Sequence, residues 1–84
     1  MDNNIFENKV KSIIIDFYFN HFKMNVTQDE VFIAWITKVL KNNKALASIR
    51  LPNDGVYFEI TYNGSTEEFY VDVYQKTSNY VVKL

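Results

Sequence analysis

The side chains able to do chemistry in this chain are few, and their spacing assembles no reaction centre. His21 is the only histidine and cysteine is absent, which removes disulfides, thiolate nucleophiles and thiolate metal sites together. No Ser-His-acid set and no second metal ligand stands at a workable spacing around His21, so it is expected to be structural, bonding the last carbonyls of a helix. The acids and tyrosines are grouped differently. Downstream of Val56 they alternate with apolar residues, and a period of two places Tyr57, Glu59, Glu68, Tyr70, Asp72 and Tyr74 on one face of a hairpin. Acid/base catalysis needs paired groups with perturbed pKa values, whereas these acids read as solvated, so no enzyme, catalytic residue, cofactor or metal is expected. Tyrosines interleaved with acids suit contact with a protein, because tyrosine contributes large area at small entropic cost and acids steer a basic partner. An exposed sheet face that is merely solvated would use the same residue types.

The hairpin that positions those residues is signalled by VYFEITY and TEEFYVDVY on either side of Asn63-Gly64. A two-residue type I′ loop predicts Val56 opposite Val71 and Phe58 opposite Phe69 on the inner face, with Tyr57 opposite Tyr70 and Thr61 opposite Thr66 on the outer. The same register sets Ile60 against Glu67 and Glu59 against Glu68, a like-charge pairing that breaks a local rule. Upstream, KALASIRL reads as a strand whose Ala45, Ala47, Ile49 and Leu51 face inward, small enough to let a helix lie close, and Pro52-Asn53-Asp54-Gly55 reads as a turn. After a polar turn at residues 75–79, Tyr80, Val82 and Leu84 alternate as a short last strand that could cover an edge.

Two helices are expected before the strands. Asn4 caps the first, with Glu7 reaching back, and it runs from about Ile5 to Phe22. Phe6, Val10, Ile13, Ile14, Phe17 and His21 form its inner stripe. Ile15, Tyr18, Phe19 and Phe22 form a second stripe, to be covered either by the domain itself or by a partner, possible homodimerisation included. The second helix is expected over TQDEVFIAWITKVLKNN, from a capping box at Thr27 and Glu30 to Asn42 and Asn43. Val31, Phe32, Ile33, Trp35, Ile36, Val39 and Leu40 would then span an arc of about 200°, twice what one contact requires. Such a helix must lie between the first helix and a sheet, with Trp35 as a core ring. The expected fold is therefore α+β, two N-terminal helices packed on one face of a three- to four-stranded antiparallel meander, ααβββ(β), in a single domain over 1–84.

Composition bounds the partners. Apolar residues at 48% and aromatics at 17% supply a core, which excludes a disordered chain. A net charge of −1 lacks the basic excess that phosphate backbones demand, so nucleic acid is disfavoured. A single-stranded nucleic-acid module stacking bases on sheet aromatics is the alternative, opposed by the interleaved acids. No signal peptide or membrane span is expected, and the absence of cysteine suits the cytoplasm.

Between Val31 and Lys76, the order VFIAW, NNKALAS, YFEITYNG and EFYVDVYQK resembles a family of short uncharacterised proteins of phages and prophages of Gram-positive bacteria. The resemblance implies provenance and brings no activity or site residues. It implies a small protein that binds a host or phage protein in the host cell's cytoplasm, as an inhibitor or adaptor.

Overall fold

The computed structural model describes residues 1–50, 55–78 and 80–84. One helix, α1 (Asn3–Phe22), precedes a single 3-10 turn at Gln28–Glu30 and four strands, β1 (Val31–Val39), β2 (Asn42–Ile49), β3 (Val56–Asn63) and β4 (Glu68–Gln75). The strands form one antiparallel sheet in chain order. The architecture is α+β, as the sequence implies, with one helix in place of the two expected.

The expected second helix is β1. The Thr27 and Glu30 pairing does form, with the Glu30 carboxylate accepting from the Thr27 N–H at 2.9 Å and the Thr27 hydroxyl at 3.1 Å, but it closes one turn only. Beyond it stand Val31, Phe32, Ile33, Trp35, Ile36, Thr37 and Val39, β-branched or aromatic residues that favour a pleated strand. The register shifts between Ile33 and Trp35, so Ala34 is the extra residue of a β-bulge. The bulge puts Val31, Ile33 and Ile36 on the inner face and Phe32 and Trp35 on the outer. Those i, i+3 pairs imitate helical spacing, and the broad apolar arc is two strand faces projected on a wheel.

Asp2, two residues earlier than expected, caps α1, its carboxylate accepting from the N–H groups of Asn4 at 2.7 Å and Ile5 at 3.4 Å. Glu7 pairs with Lys11 at 3.7 Å instead of reaching back. Lys23 ends the helix at φ 54°, with its N–H donating to the Phe19 carbonyl and that of Met24 to the Tyr18 carbonyl, the nested bonds of a left-handed cap. The buried stripe is Phe6, Val10, Ile14 and Tyr18. His21 lies outside it, exposed, stacked on Phe17 at 4.3 Å with Nδ1–H donating to the Phe17 carbonyl at 3.0 Å.

Helix α1 packs on Ala45, Ala47, Phe58 and Ile60, all essentially inaccessible, with Val26, Val31 and Ile49 completing the core. The alanines let the helix approach, and Phe17 and Tyr18 meet the Phe58 ring edge-on at 5.1 and 5.9 Å. Asn43, expected to end a helix, is the buried polar residue of β2. Its Nδ2 donates to the Met1 carbonyl at 3.0 Å and to Asn3 Oδ1 at 3.1 Å, tying the start of α1 to the sheet.

The β3–β4 loop is Gly64 to Glu67, twice the expected length, and pairs Asn63 with Glu68, Tyr57 with Tyr74 and Ile60 with Val71. Asn63 Oδ1 accepts from the N–H groups of Ser65 at 2.9 Å and Thr66 at 3.3 Å, and Glu67 takes φ 56°. Gly64 is needed for proximity: a Cβ there would collide with the carbonyl oxygen of Lys41, in the β1–β2 loop, and its N–H donates to Asn42 Oδ1 at 3.2 Å. The partners have moved by four positions, an even number, so every side chain keeps its predicted face. No strand forms over Tyr80, Val82 and Leu84, which are exposed, so the expected last strand is absent. Leu51 and the Pro52–Asp54 part of the expected turn lie outside the described residues, as does Asn79.

The loop contacts predict that Gly64→Ala lowers the unfolding free energy by about 1 to 3 kcal/mol in urea denaturation, because backbone must shift. Leu40→Gly should act in the opposite direction by up to about 1 kcal/mol, since Leu40 is held at φ 58°, where a branched side chain is strained.

Candidate functional site

Cross-strand pairing sorts the outer face into rows. Phe32, Ser48, Tyr57 and Tyr74 form one row across the four strands, and Trp35, Leu46, Glu59 and Asp72 form the next. Thr37, Lys44, Thr61 and Tyr70 form a third. Among the described residues no helix or strand packs over these rows, and α1 lies on the opposite face with Ala45, Ala47 and Phe58. Phe32, Trp35, Tyr57, Tyr70 and Tyr74 are 38 to 46% exposed, spread over β1, β3 and β4 with Ser48 and Leu46 of β2 between. A surface carrying this many exposed aromatics is a candidate contact surface.

Four of the five aromatics have a defined neighbour. Tyr57 and Tyr74 stack at 5.0 Å with ring planes 14° apart, as a directly opposed cross-strand pair permits. The Arg50 guanidinium lies 5.2 Å above the Phe32 ring, and its backbone N–H donates to the Glu30 carbonyl at 2.8 Å. Lys44 Nζ reaches Glu59 at 3.5 Å, and the Tyr70 hydroxyl donates to Glu68 Oε1 at 3.4 Å.

The expected opposition of Glu59 and Glu68 is replaced by another like-charge pair, Glu59 opposite Asp72. Its field acts on Tyr74, whose phenol is raised above 10.0, first by the charge on Glu59, then by Asp72, with smaller contributions from desolvation and Tyr57. The arrangement offers aromatic area with negative charge in the β3 and β4 half of its middle row.

All six residues singled out on the hairpin, Tyr57, Glu59, Glu68, Tyr70, Asp72 and Tyr74, share this face. The helix stripe does not hold together. Tyr18 is buried in the core and Ile15 is partly buried, whereas Phe19 and Phe22 are 47% and 61% exposed, with Lys23 over the Phe19 ring at 5.4 Å. Phe32, Trp35 and Leu46 belong to the candidate face and were not expected there. Trp35 in particular was expected in the core. The missed signal is strand parity from Val31 onward, hidden by the bulge at Ala34.

The charges on the face generate a pH prediction. A phenol raised by folding keeps its proton longer in the native than in the unfolded state, so unfolding free energy should decline as pH rises above 10.0. An ultraviolet absorbance titration should show one tyrosine ionising late, and Glu59→Gln with Asp72→Asn should move that step down. A late step unchanged by the double variant would remove the acids as its cause.

No helix among the described residues is long and apolar enough to cross a membrane. The model of a family of unknown function, DUF6275, matches residues 7–84. No curated protein and no solved structure matches the chain.

Proposed function

The chain belongs to that family of unknown function, and from the geometry of its open face we propose that it is a non-enzymatic protein-binding domain of inhibitor or adaptor type. The observation that carries this reading is the outer face itself: five large aromatic side chains in adjoining rows, half exposed, with no described helix or strand packed over them. Tyr and Trp are the residues most enriched among those that dominate binding energy at protein interfaces. The phage and prophage provenance implied by the sequence resemblance makes a host or phage protein, met in the host cytoplasm, the partner to seek first.

Base stacking on the same rings is the competing reading, favoured by the exposure of Phe32, Trp35 and Tyr57. Glu59 and Asp72 in the middle row would repel a phosphate backbone, and that places it second.

The test is capture of partners from a lysate of the bacterial host by immobilised protein, compared with Trp35→Ala/Tyr57→Ala. Neither side chain is in the core, so the double variant should still unfold cooperatively, at a midpoint lowered by loss of the Tyr57–Tyr74 stack. It should lose a bound protein by about tenfold or more, as removal of interface anchors does. A partner retained equally by the folded double variant would sink the sheet-face reading. The exposed pair Phe19 and Phe22 is tested separately by light scattering across concentration, where a constant monomer mass would exclude dimerisation through α1.

A further inference from the structure

The open face is not uniformly apolar, and its charge restricts what can cover it. In its second row Glu59 and Asp72 stand opposite each other on β3 and β4, with Trp35 and Leu46 on one side and tyrosines above and below. Any protein that seats on the aromatics must strip water from these carboxylates, and desolvated charge is tolerated only when a counter-charge arrives with it. A second copy of the chain supplies none in the right place. With a two-fold axis along the strands, Leu46 would cover Glu59 and Trp35 would cover Asp72. With the axis across the strands, the acids would approach their own counterparts. A nucleic acid adds negative charge to negative charge.

The face already shows the chemistry that suits it. Arg50 lies over the Phe32 ring and Lys44 sits beside Glu59, a guanidinium on an aromatic and an ammonium on a carboxylate. Among the described residues no cation lies within ion-pair distance of Asp72, although Tyr74, Tyr70 and Glu59 surround it. We infer that the partner is a protein segment that presents an arginine or lysine side chain to the Glu59 and Asp72 pair between Tyr57, Tyr70 and Tyr74, while an adjoining apolar residue seats on Trp35 and Phe32. The inference rests on the protein-binding reading and specifies the chemistry of what binds. Cation attraction to tyrosine rings and to carboxylates acts here on one group.

The experiment is an amide NMR titration of the full chain with three acetylated, amidated pentapeptides: leucine alternating with arginine, with glutamine, and with glutamate. The arginine peptide should shift the amides of Glu59, Asp72 and Tyr74 and the indole N–H of Trp35. It should bind about tenfold more tightly than the glutamine peptide, and Glu59→Gln/Asp72→Asn should abolish that advantage. The double variant relieves a like-charge pair, so it should unfold at the same or a higher temperature. Equal binding of the arginine and glutamine peptides at this face would overturn the cation requirement while leaving the docking surface intact. Absence of shifts with every peptide would overturn the inference, and the lysate comparison above would still judge the protein-binding reading. Shifts at these residues from oligothymidylate, or their protection in a concentration-dependent dimer, would also overturn it.

Discussion

One helix lies on four strands, and most of what distinguishes this molecule follows from that mismatch of widths. An α-helix with its side chains is about 10 Å across, while four strands spaced by about 4.8 Å extend over about 14 Å between their outer axes. Helix α1 therefore cannot cover the inner face completely. It seals Ala45, Ala47, Phe58 and Ile60, reaches β4 at Phe69, whose ring lies parallel to Phe6 at 6.2 Å, and leaves Val71 and Val73 at 39% and 44% exposure. Among the described residues no helix or strand forms a layer on the far face. With the core confined to one side, each fully buried Phe or Ile contributes about 1.5 to 3 kcal/mol, and the outer aromatics contribute only what they gain from their neighbours.

How much of this was legible in the sequence follows from which rules are local. Alternation within a strand is local, so the inner set of Phe58, Phe69 and Val71 and the outer set of Tyr57, Glu59, Tyr70, Asp72 and Tyr74 could be read directly. Register depends on a loop that Asn63 and Gly64 do not determine alone. The Asn63 carboxamide can hold the N–H groups of Ser65 and Thr66 as well as favour a tight turn, and the loop also packs against Lys41, a residue more than twenty positions away in the neighbouring loop. A displacement by an even number preserved the faces even where every partner changed.

The misreading of β1 has a different cause. Periodicity distinguishes helix from strand only while the period is unbroken, and Ala34 breaks it in the middle of the strand. The composition argued the other way, since Val, Ile, Phe, Trp and Thr fill most of Val31–Val39. A helix apolar over twice the usual arc needed two covering layers. A strand with two apolar faces needs only the one layer present, plus a surface left open. That difference is why Trp35 passes from expected core to candidate contact, and why the candidate face extends over all four strands instead of the last two.

The opposed acids could be explained as protection against aggregation, since a sheet face rich in exposed aromatics invites association and charge discourages it. Asp72 lies on the edge strand β4, where a charge is well placed for that purpose, but Glu59 lies on the inner strand β3 directly opposite it. Protection alone does not require that opposition, which costs a few tenths of a kcal/mol while both acids are solvated. Lys44 offsets part of this from one side, and the stacked Tyr57 and Tyr74 rings, worth about 0.5 to 1.5 kcal/mol, more than balance it. The pair is thus inexpensive as long as water remains and severe once water is removed. On the proposed reading, such a surface would favour a partner that carries its own cation over an apolar or acidic one.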